Sequence, residues 1–430
     1  MIVEFSIKNF RSIKDLQTLS FAKTGLKSRK EFSFIDSNNI SECNGEKCFN
    51  VLGLYGANAS GKSNIVKALD YFINTISVQP SSQSNLSHLS QPFLFQENPE
   101  ETESFFQMVF MLNQTKYRYG FTVKKNLDKR IDGIAYSSEI ITNEWLFSDK
   151  GKKMSPLFIR EGSKINNKLQ NKSGIPNTTP YKHNLFLTHA AAFDITGDCK
   201  EITDYFKGFA VSDFEFSHEK FRWLSIESII HKNDDLKNEF LSLLNSFNLN
   251  FDDIILEENQ NYNSNEIFPQ EKISLVKNFQ RENKEIKKIS LNLKQHESSG
   301  TQKMFDLAGL LLRAFNLPTS CFILLDEIDS HFHPALLINL VNLFNNPRIN
   351  KSNSQLLFSS HDTNLMAPSI MRRDQFYFTE KNIDFSTKLY SLADLKGIRN
   401  DADFAKQYLA GFYGALPHLE QFEINESSHG

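Results

Sequence analysis

The chain has 430 residues and a formal charge of −3, with 40% hydrophobic and 23% charged residues, the usage of a globular protein able to bury one large core or two lobes. That charge gives no global pull toward nucleic acid, so contact with DNA or RNA is left as a local possibility. No apolar stretch of about 18 residues occurs, and the sequence opens directly on a strand pattern. Neither a membrane span nor a signal peptide is therefore expected, and the expected location is cytoplasmic.

Ile2 to Ile7 reads as a strand, and Lys8-Asn9-Phe10-Arg11-Ser12-Ile13 follows it. Cys43 and Cys48 stand in a C-x₄-C spacing, but no second Cys/His pair lies at a matching distance, so free thiols are the simpler reading for all four cysteines. The apolar run Val51 to Tyr55 reads as a buried strand leading into Gly56-Ala57-Asn58-Ala59-Ser60-Gly61-Lys62-Ser63, and Asn64 onward has helical periodicity. The octapeptide fits G-x-x-x-x-G-K-[ST] in the strand–loop–helix context that its chemistry needs. Gly56 and Gly61 free the backbone to turn successive N–H groups toward a β-phosphate, and the following helix points its positive end at the same anion. Lys62 reaches the β- and γ-phosphates in this reading, and Ser63 ligates Mg²⁺. The implied ligands are ATP and Mg²⁺.

Gln107–Leu112 and Tyr117–Val123 read as antiparallel strands, closing a nucleotide-binding lobe over residues 1–130. From 131 to 290, the chain reads as polar loops alternating with short helices. No heptad pattern persists for three or four repeats, so a compact, mainly helical lid is expected there and not a long coiled-coil arm. Within it, Lys150 to Lys172 carries seven basic residues, read as a solvated loop with phosphate backbone as the sharper alternative. Asn184 to Phe193 reads as a strand passing into a helix, with His189 a candidate to touch Mg²⁺ or water and ordinary packing the plainer role.

Residues 291–430 hold the remaining chemistry. Glu297-Ser298-Ser299-Gly300-Thr301-Gln302 precedes an amphipathic run from Lys303 to Phe315, so Ser298 and the Gly300 amide stand at a helix N-terminus, where they can grip a γ-phosphate or simply cap the helix. Cys321 to Asp326 is an apolar strand ending in two acids, expected beside the phosphate loop in a parallel sheet. Asp326 is the candidate Mg²⁺ ligand and Glu327 the general base. Gln355 to Ser360 is a further apolar strand, ending in His361-Asp362. His331 and His333 read as capping or packing groups at least as readily as functional ones.

These motifs, taken together, resemble a known family. Glu297 to Gln302 is similar to the signature motif of ATP-binding cassette (ABC) ATPases, with Glu297 at the usual leucine and Ser299 at one glycine. Ile328 to Pro334 and the strand ending in His361 resemble the D-loop and switch histidine of the RecF, SMC and OLD-like branch. Asn9-Phe10-Arg11-Ser12 resembles the element with which such ATPases begin, which implies that Arg11 and Ser12 lie against the nucleotide. Gly53 to Asn64, Arg373 to Lys381 and Tyr408 to Pro417 narrow the resemblance to the RloA/AbiLi-type ATPases of phage-defence and abortive-infection operons. The resemblance implies an α/β fold of the ABC-type P-loop class: a parallel central sheet, an antiparallel side sheet and a mainly helical inserted lobe. It also implies a homodimer or higher oligomer closed by an ATP sandwich, in which Ser298 and Gly300 act on the nucleotide of the facing subunit.

Three functional classes follow. The first is a defence ATPase that controls a separate, operon-encoded, RloB-like nuclease effector. The second is a RecF/SMC-like ATPase of DNA repair or DNA handling. The third is a transporter cassette, which needs a membrane partner and a standard L-S-G-G-Q and ranks last. The stretch after His361 is too short for the Toprim domain that OLD nucleases append there, so no nuclease activity is expected in this chain.

Overall fold

The computed structural model describes residues 1–131, 134–150, 153–170, 174–194, 197–213, 222, 224–227, 234–257, 272–280, 284–330, 332–399 and 402–417. His331 lies outside them, as do parts of the basic stretch at 150–172. The strands are β1 (Ile2–Lys8), β2 (Gln17–Ser20), β3 (Ile40–Cys43), β4 (Glu46–Phe49), β5 (Val51–Gly56), β6 (Ser104–Leu112), β7 (Thr115–Ile131), β8 (Ile134–Asp149), β9 (Ser155–Glu161), β10 (Lys164–Asn167), β11 (Ala210–Asp213), β12 (Asp253–Glu257), β13 (Lys272–Gln280), β14 (Ile286–Asn292), β15 (Phe322–Asp326), β16 (Gln355–Ser359), β17 (Phe376–Lys381) and β18 (Thr387–Ser391). The helices are α1 (Ile35–Asn38), α2 (Lys62–Ser77), α3 (Phe186–Ala191), α4 (Asp198–Lys207), α5 (Asp234–Ser246), α6 (Leu293–His296), α7 (Ser299–Asn316), α8 (Pro334–Phe344) and α9 (Phe404–Leu409).

The fold is α/β. One sheet runs β11-β15-β16-β5-β17-β18, parallel except for β18, and a second runs β10-β9-β8-β7-β6-β1-β2, all antiparallel. The central strands are apolar at successive positions because both faces of the parallel sheet are covered. Leu52, Leu54, Leu324 and Leu357 face the core shared with α2 and the antiparallel sheet. Val51, Tyr55, Ile323, Leu325, Leu356 and Phe358 face the core built with α7, α8 and α9. Between the sheets, Phe72 of α2 meets Phe5 and Phe121 at 5.5 Å and Phe206 at 6.1 Å, so some of the chain's 39 phenylalanines serve aromatic packing. Helix α7 is buried on two sides, with Met304, Leu307 and Leu311 toward the parallel sheet and Phe305, Ala308 and Leu312 toward α5 and the sheet β12-β13-β14.

Three sequence expectations differ from this arrangement. The block at 131–290, expected to be mainly helical, carries strands as well as helices, because the β7–β8 pairing extends the antiparallel sheet across position 131 and β12–β14 add a small sheet. The basic stretch supplies β9 and β10, and Arg160 within it is 2% exposed, donating to the carbonyls of Asn184 at 2.6 Å and Lys182 at 3.1 Å and pairing with Glu144. Asn184 to Phe193 contains α3 and no strand, since the buried Glu144 carboxylate accepts from the N–H groups of Phe186 at 2.6 Å and Leu187 at 2.9 Å and caps the helix. Strand β15 is an interior parallel strand as expected, with β16 between it and β5. No helix among the described residues is long and apolar enough to cross a membrane.

Candidate functional site

Strand β5 and helix α2 are joined by the loop at 57–61, whose geometry depends on its glycines. Gly56 has φ 152° and Gly61 φ 108°. A Cβ at Gly61 would lie 2.0 Å from Thr387 Oγ1, and one at Gly56 would lie 2.5 Å from the Thr379 carbonyl. The loop is thus a backbone cradle that side chains would fill. Gly61 caps α2 without a side chain, which leaves the helix N-terminus open to an anion. Lys62, 5% exposed, donates to the carbonyls of Gly56 at 2.8 Å and Ala57 at 3.1 Å. Its ammonium is held below its ordinary pKa by burial, against the pull of Asp326, Glu327 and Asp329. Asn58 is exposed, and Ser63 is half-buried on the first turn of α2.

The parallel pairing β5–β16–β15 brings three strand ends to one edge. Asp326 ends β15 half-buried and takes a hydrogen bond from the Ser359 hydroxyl at the end of β16. Glu327 is exposed at φ 50°, a left-handed conformation unusual for a glutamate, with its N–H on Ser359 Oγ at 2.8 Å. The backbone N–H of His361 donates to Asp329 Oδ2 at 3.1 Å. Burial lowers the pKa of the His361 ring, Lys62 lowers it further, and Asp329, Glu327 and Asp326 oppose this. Lys62, His361 and the three acids therefore share one electrostatic neighbourhood, although Lys62 and His361 are 299 positions apart in the chain.

The N-terminal element joins the same corner. Asn64 Nδ2 donates to Ser12 Oγ at 2.7 Å, and Arg11 reaches Asn64 Oδ1 at 3.5 Å while its Nε donates to Gln91 Oε1 at 2.7 Å. Thr387, which no motif singled out, meets Ser12 Oγ at 2.7 Å and donates to the Ser60 carbonyl at 3.0 Å. Thr379 meets Ser60 Oγ at 2.6 Å. These two threonines brace the loop from the neighbouring β17–β18 hairpin. Only the polar ends of that hairpin hint at this in the sequence.

Other candidates stand apart. Ser298 is the exposed N-cap of α7, accepting from Thr301 N–H at 3.2 Å, and Gly300 lies in the first turn. Among the described residues no hydrogen bond joins either to the loop or to the acids. The His189 ring packs on Phe193 at 5.2 Å, and burial lowers its pKa. His333 caps α8 by accepting from Ala335 N–H at 3.2 Å.

Residues 51–367 match the profile of a family described as "AAA domain, putative AbiEii toxin, Type IV TA system". No curated protein matches the chain. Similar solved structures include an SMC head domain from Thermotoga maritima (14% identity, 91% of this chain and 98% of that one, TM-score 0.44). Another is an SmcHead bound to the C-winged helix domain of ScpA (15%, 92% and 99%, TM-score 0.45). A third is the recombination mediator RecF with ATPrS (15%, 91% and 98%, TM-score 0.32).

Proposed function

The chain belongs to this AAA-domain family, and from that premise we propose that it is an ABC-type P-loop ATPase working as a dimer closed by an ATP sandwich. The observation that carries the reading is the meeting of the glycine loop, Lys62, Asp326, Glu327 and His361 at one edge of the parallel sheet. In it, the open N-terminus of α2 and Lys62 take the β- and γ-phosphates, while Asn58, Asn64, Arg11 and Ser12 shape the loop's flank. The oxygen donors Ser63 and Asp326 suit Mg²⁺, which supplies charge neutralisation when bound. Glu327 accepts the proton of the attacking water, and His361 reads the γ-phosphate from the end of β16. Ser298 and Gly300 of a second copy close over that phosphate.

The cellular role we assign is sensor or regulator of a separate RloB-like nuclease effector in anti-phage defence by abortive infection. The family description, which names a toxin of a toxin–antitoxin system, and the RloA/AbiLi-like tail support it. RecF/SMC-like DNA handling is the alternative. Calorimetry and turnover test the ATPase: Lys62→Ala should lose nucleotide binding, and Glu327→Gln should keep it while turnover falls by about 10²–10⁴-fold. Equal ATP affinity in Lys62→Ala would remove the loop assignment. Co-expression with the operon neighbour tests the role: a stable complex with phage-blocking activity is expected, whereas nucleic-acid cleavage by the purified single chain would count against it.

A further inference from the structure

Three buried oxygens where β5 and β16 end have no hydrogen-bond partner among the described residues: Tyr55 Oη, Asp329 Oδ1 and Asp362 Oδ2. Tyr55 is 0% exposed. An unpaired buried polar atom is destabilising, so a group of them calls for a reason. All three belong to one junction. Tyr55 immediately precedes Gly56, and Ser360 N–H donates to the carbonyl of Leu54 at 3.1 Å. Asp362 N–H donates to Ser360 Oγ at 2.9 Å, and Asp329 uses its other oxygen to accept from His361 N–H at 3.1 Å. Burial first, and then the charges of Asp362 and Asp329, keep the Tyr55 phenol protonated. The junction thus offers one donor and two carboxylate acceptors.

We propose that Tyr55 is a positioning residue whose hydroxyl, through one buried water shared with Asp329 and Asp362, fixes the backbone that carries His361. The proposal rests on the ATPase reading above. A single water accepts from the phenol and donates to both carboxylates, the three bonds usual for a buried water. Asp329 then has both oxygens engaged, one of them on His361 itself. Turnover should depend on this bridge more than nucleotide affinity does, because Tyr55, Asp329 and Asp362 lie outside the phosphate cradle. The Tyr55 ring is clamped independently by Phe358 and Phe376 at 6.1 Å and by Tyr408 at 6.4 Å, so a phenylalanine there keeps the packing and loses only the hydroxyl. Tyr408 opens the C-terminal run 408–417, which the same contact ties to the site.

The test is a cycle of Tyr55→Phe and Asp362→Asn, singly and together, read by kcat, KM, ATP affinity and melting temperature. Asparagine keeps the acceptor that caps Asn364 N–H at 2.9 Å. Each single variant should lose about tenfold in kcat with KM and affinity nearly unchanged, and the double should lose little more than the worse single. A wild-type kcat in Tyr55→Phe, a loss confined to KM, or losses that multiply in the double would overturn the proposal. Should Tyr55→Phe fail to fold, Asp362→Asn alone must still show the kcat-only loss. A wild type that neither binds nor hydrolyses ATP defeats the ATPase reading first. Melting shifts across the same four proteins then decide the bridge: non-additive shifts support it, and additive ones remove it.

Discussion

The backbone N–H of Glu327 donates to the Ser359 hydroxyl at 2.8 Å, and that hydroxyl in turn donates a hydrogen bond to Asp326. One buried serine at the end of β16 thus ties together both acids at the end of β15, and it does so next to a glutamate held at φ 50°. Ser359→Ala leaves an N–H and a carboxylate oxygen without this partner, which should lower stability by about 1–3 kcal/mol. Turnover should fall with ATP affinity retained, and Ser359→Thr should restore much of both. Melting and steady-state kinetics indistinguishable from wild type in Ser359→Ala would show that Glu327 is held by something else.

A methyl group at position 61 should be intolerable. Its carbon would sit 2.0 Å from Thr387 Oγ1, which is already engaged with Ser12 and Ser60, and φ 108° is itself strained for any residue with a Cβ. Gly61→Ala should therefore cost at least about 1–2 kcal/mol from the backbone alone and abolish nucleotide binding by displacing the loop. Calorimetry on a folded variant measures this, and wild-type ATP affinity would mean that the loop can relax without consequence.

What the sequence makes legible is what is contiguous in it. Val51 to Ser63, Cys321 to Glu327 and Gln355 to His361 each carry strand, turn and chemistry within about a dozen residues, so pattern and motif agree. Strand order is different, because it is decided when the sheet assembles. The insertion of β16 between β5 and β15, which brings Ser359 to the acids, has no local signature. Ser12 with Thr387 and Ser60 with Thr379 are contacts across more than 300 residues. In the middle of the chain, polar loops between short apolar runs hide strands whose partners lie elsewhere, and the Glu144 cap turns an apolar run at 184–188 into a helix start.

Acid should destabilise the wild type more than a variant lacking His361. The ring's pKa is lowered in the folded chain by burial and by Lys62, whereas in the unfolded chain it returns to about 6.5. As pH falls below that value the unfolded state takes up the proton first, so stability is lost on the way down to the folded pKa and levels off beneath it. His361 is only partly withdrawn from solvent, so screening keeps the effect small. Melting temperatures of wild type and His361→Gln between pH 7.5 and 5.5 should converge on acidification. Parallel curves would show that the histidine titrates like a free one.

The sandwich itself can be tested by mixing two inactive proteins. Ser298 is the exposed N-cap of α7 and shares no hydrogen bond with the loop at 56–63 of its own chain, and the role proposed for it on nucleotide is one played from a second copy. Ser298→Arg should put a bulky cation against the facing site and block closure without changing its own loop, and Lys62→Ala should disable the loop without touching α7. A heterodimer of the two has one composite site bearing both defects and one bearing neither. ATPase activity should therefore return in mixtures, up to about a quarter of the wild-type rate per total subunit at equal amounts if exchange is random and each intact site fires alone. Trapping of one ATP per heterodimer by the intact site separates a requirement for paired firing from a wrong assignment. Heterodimers with proven subunit exchange that trap no ATP would exclude Ser298 and Gly300 from the composite site.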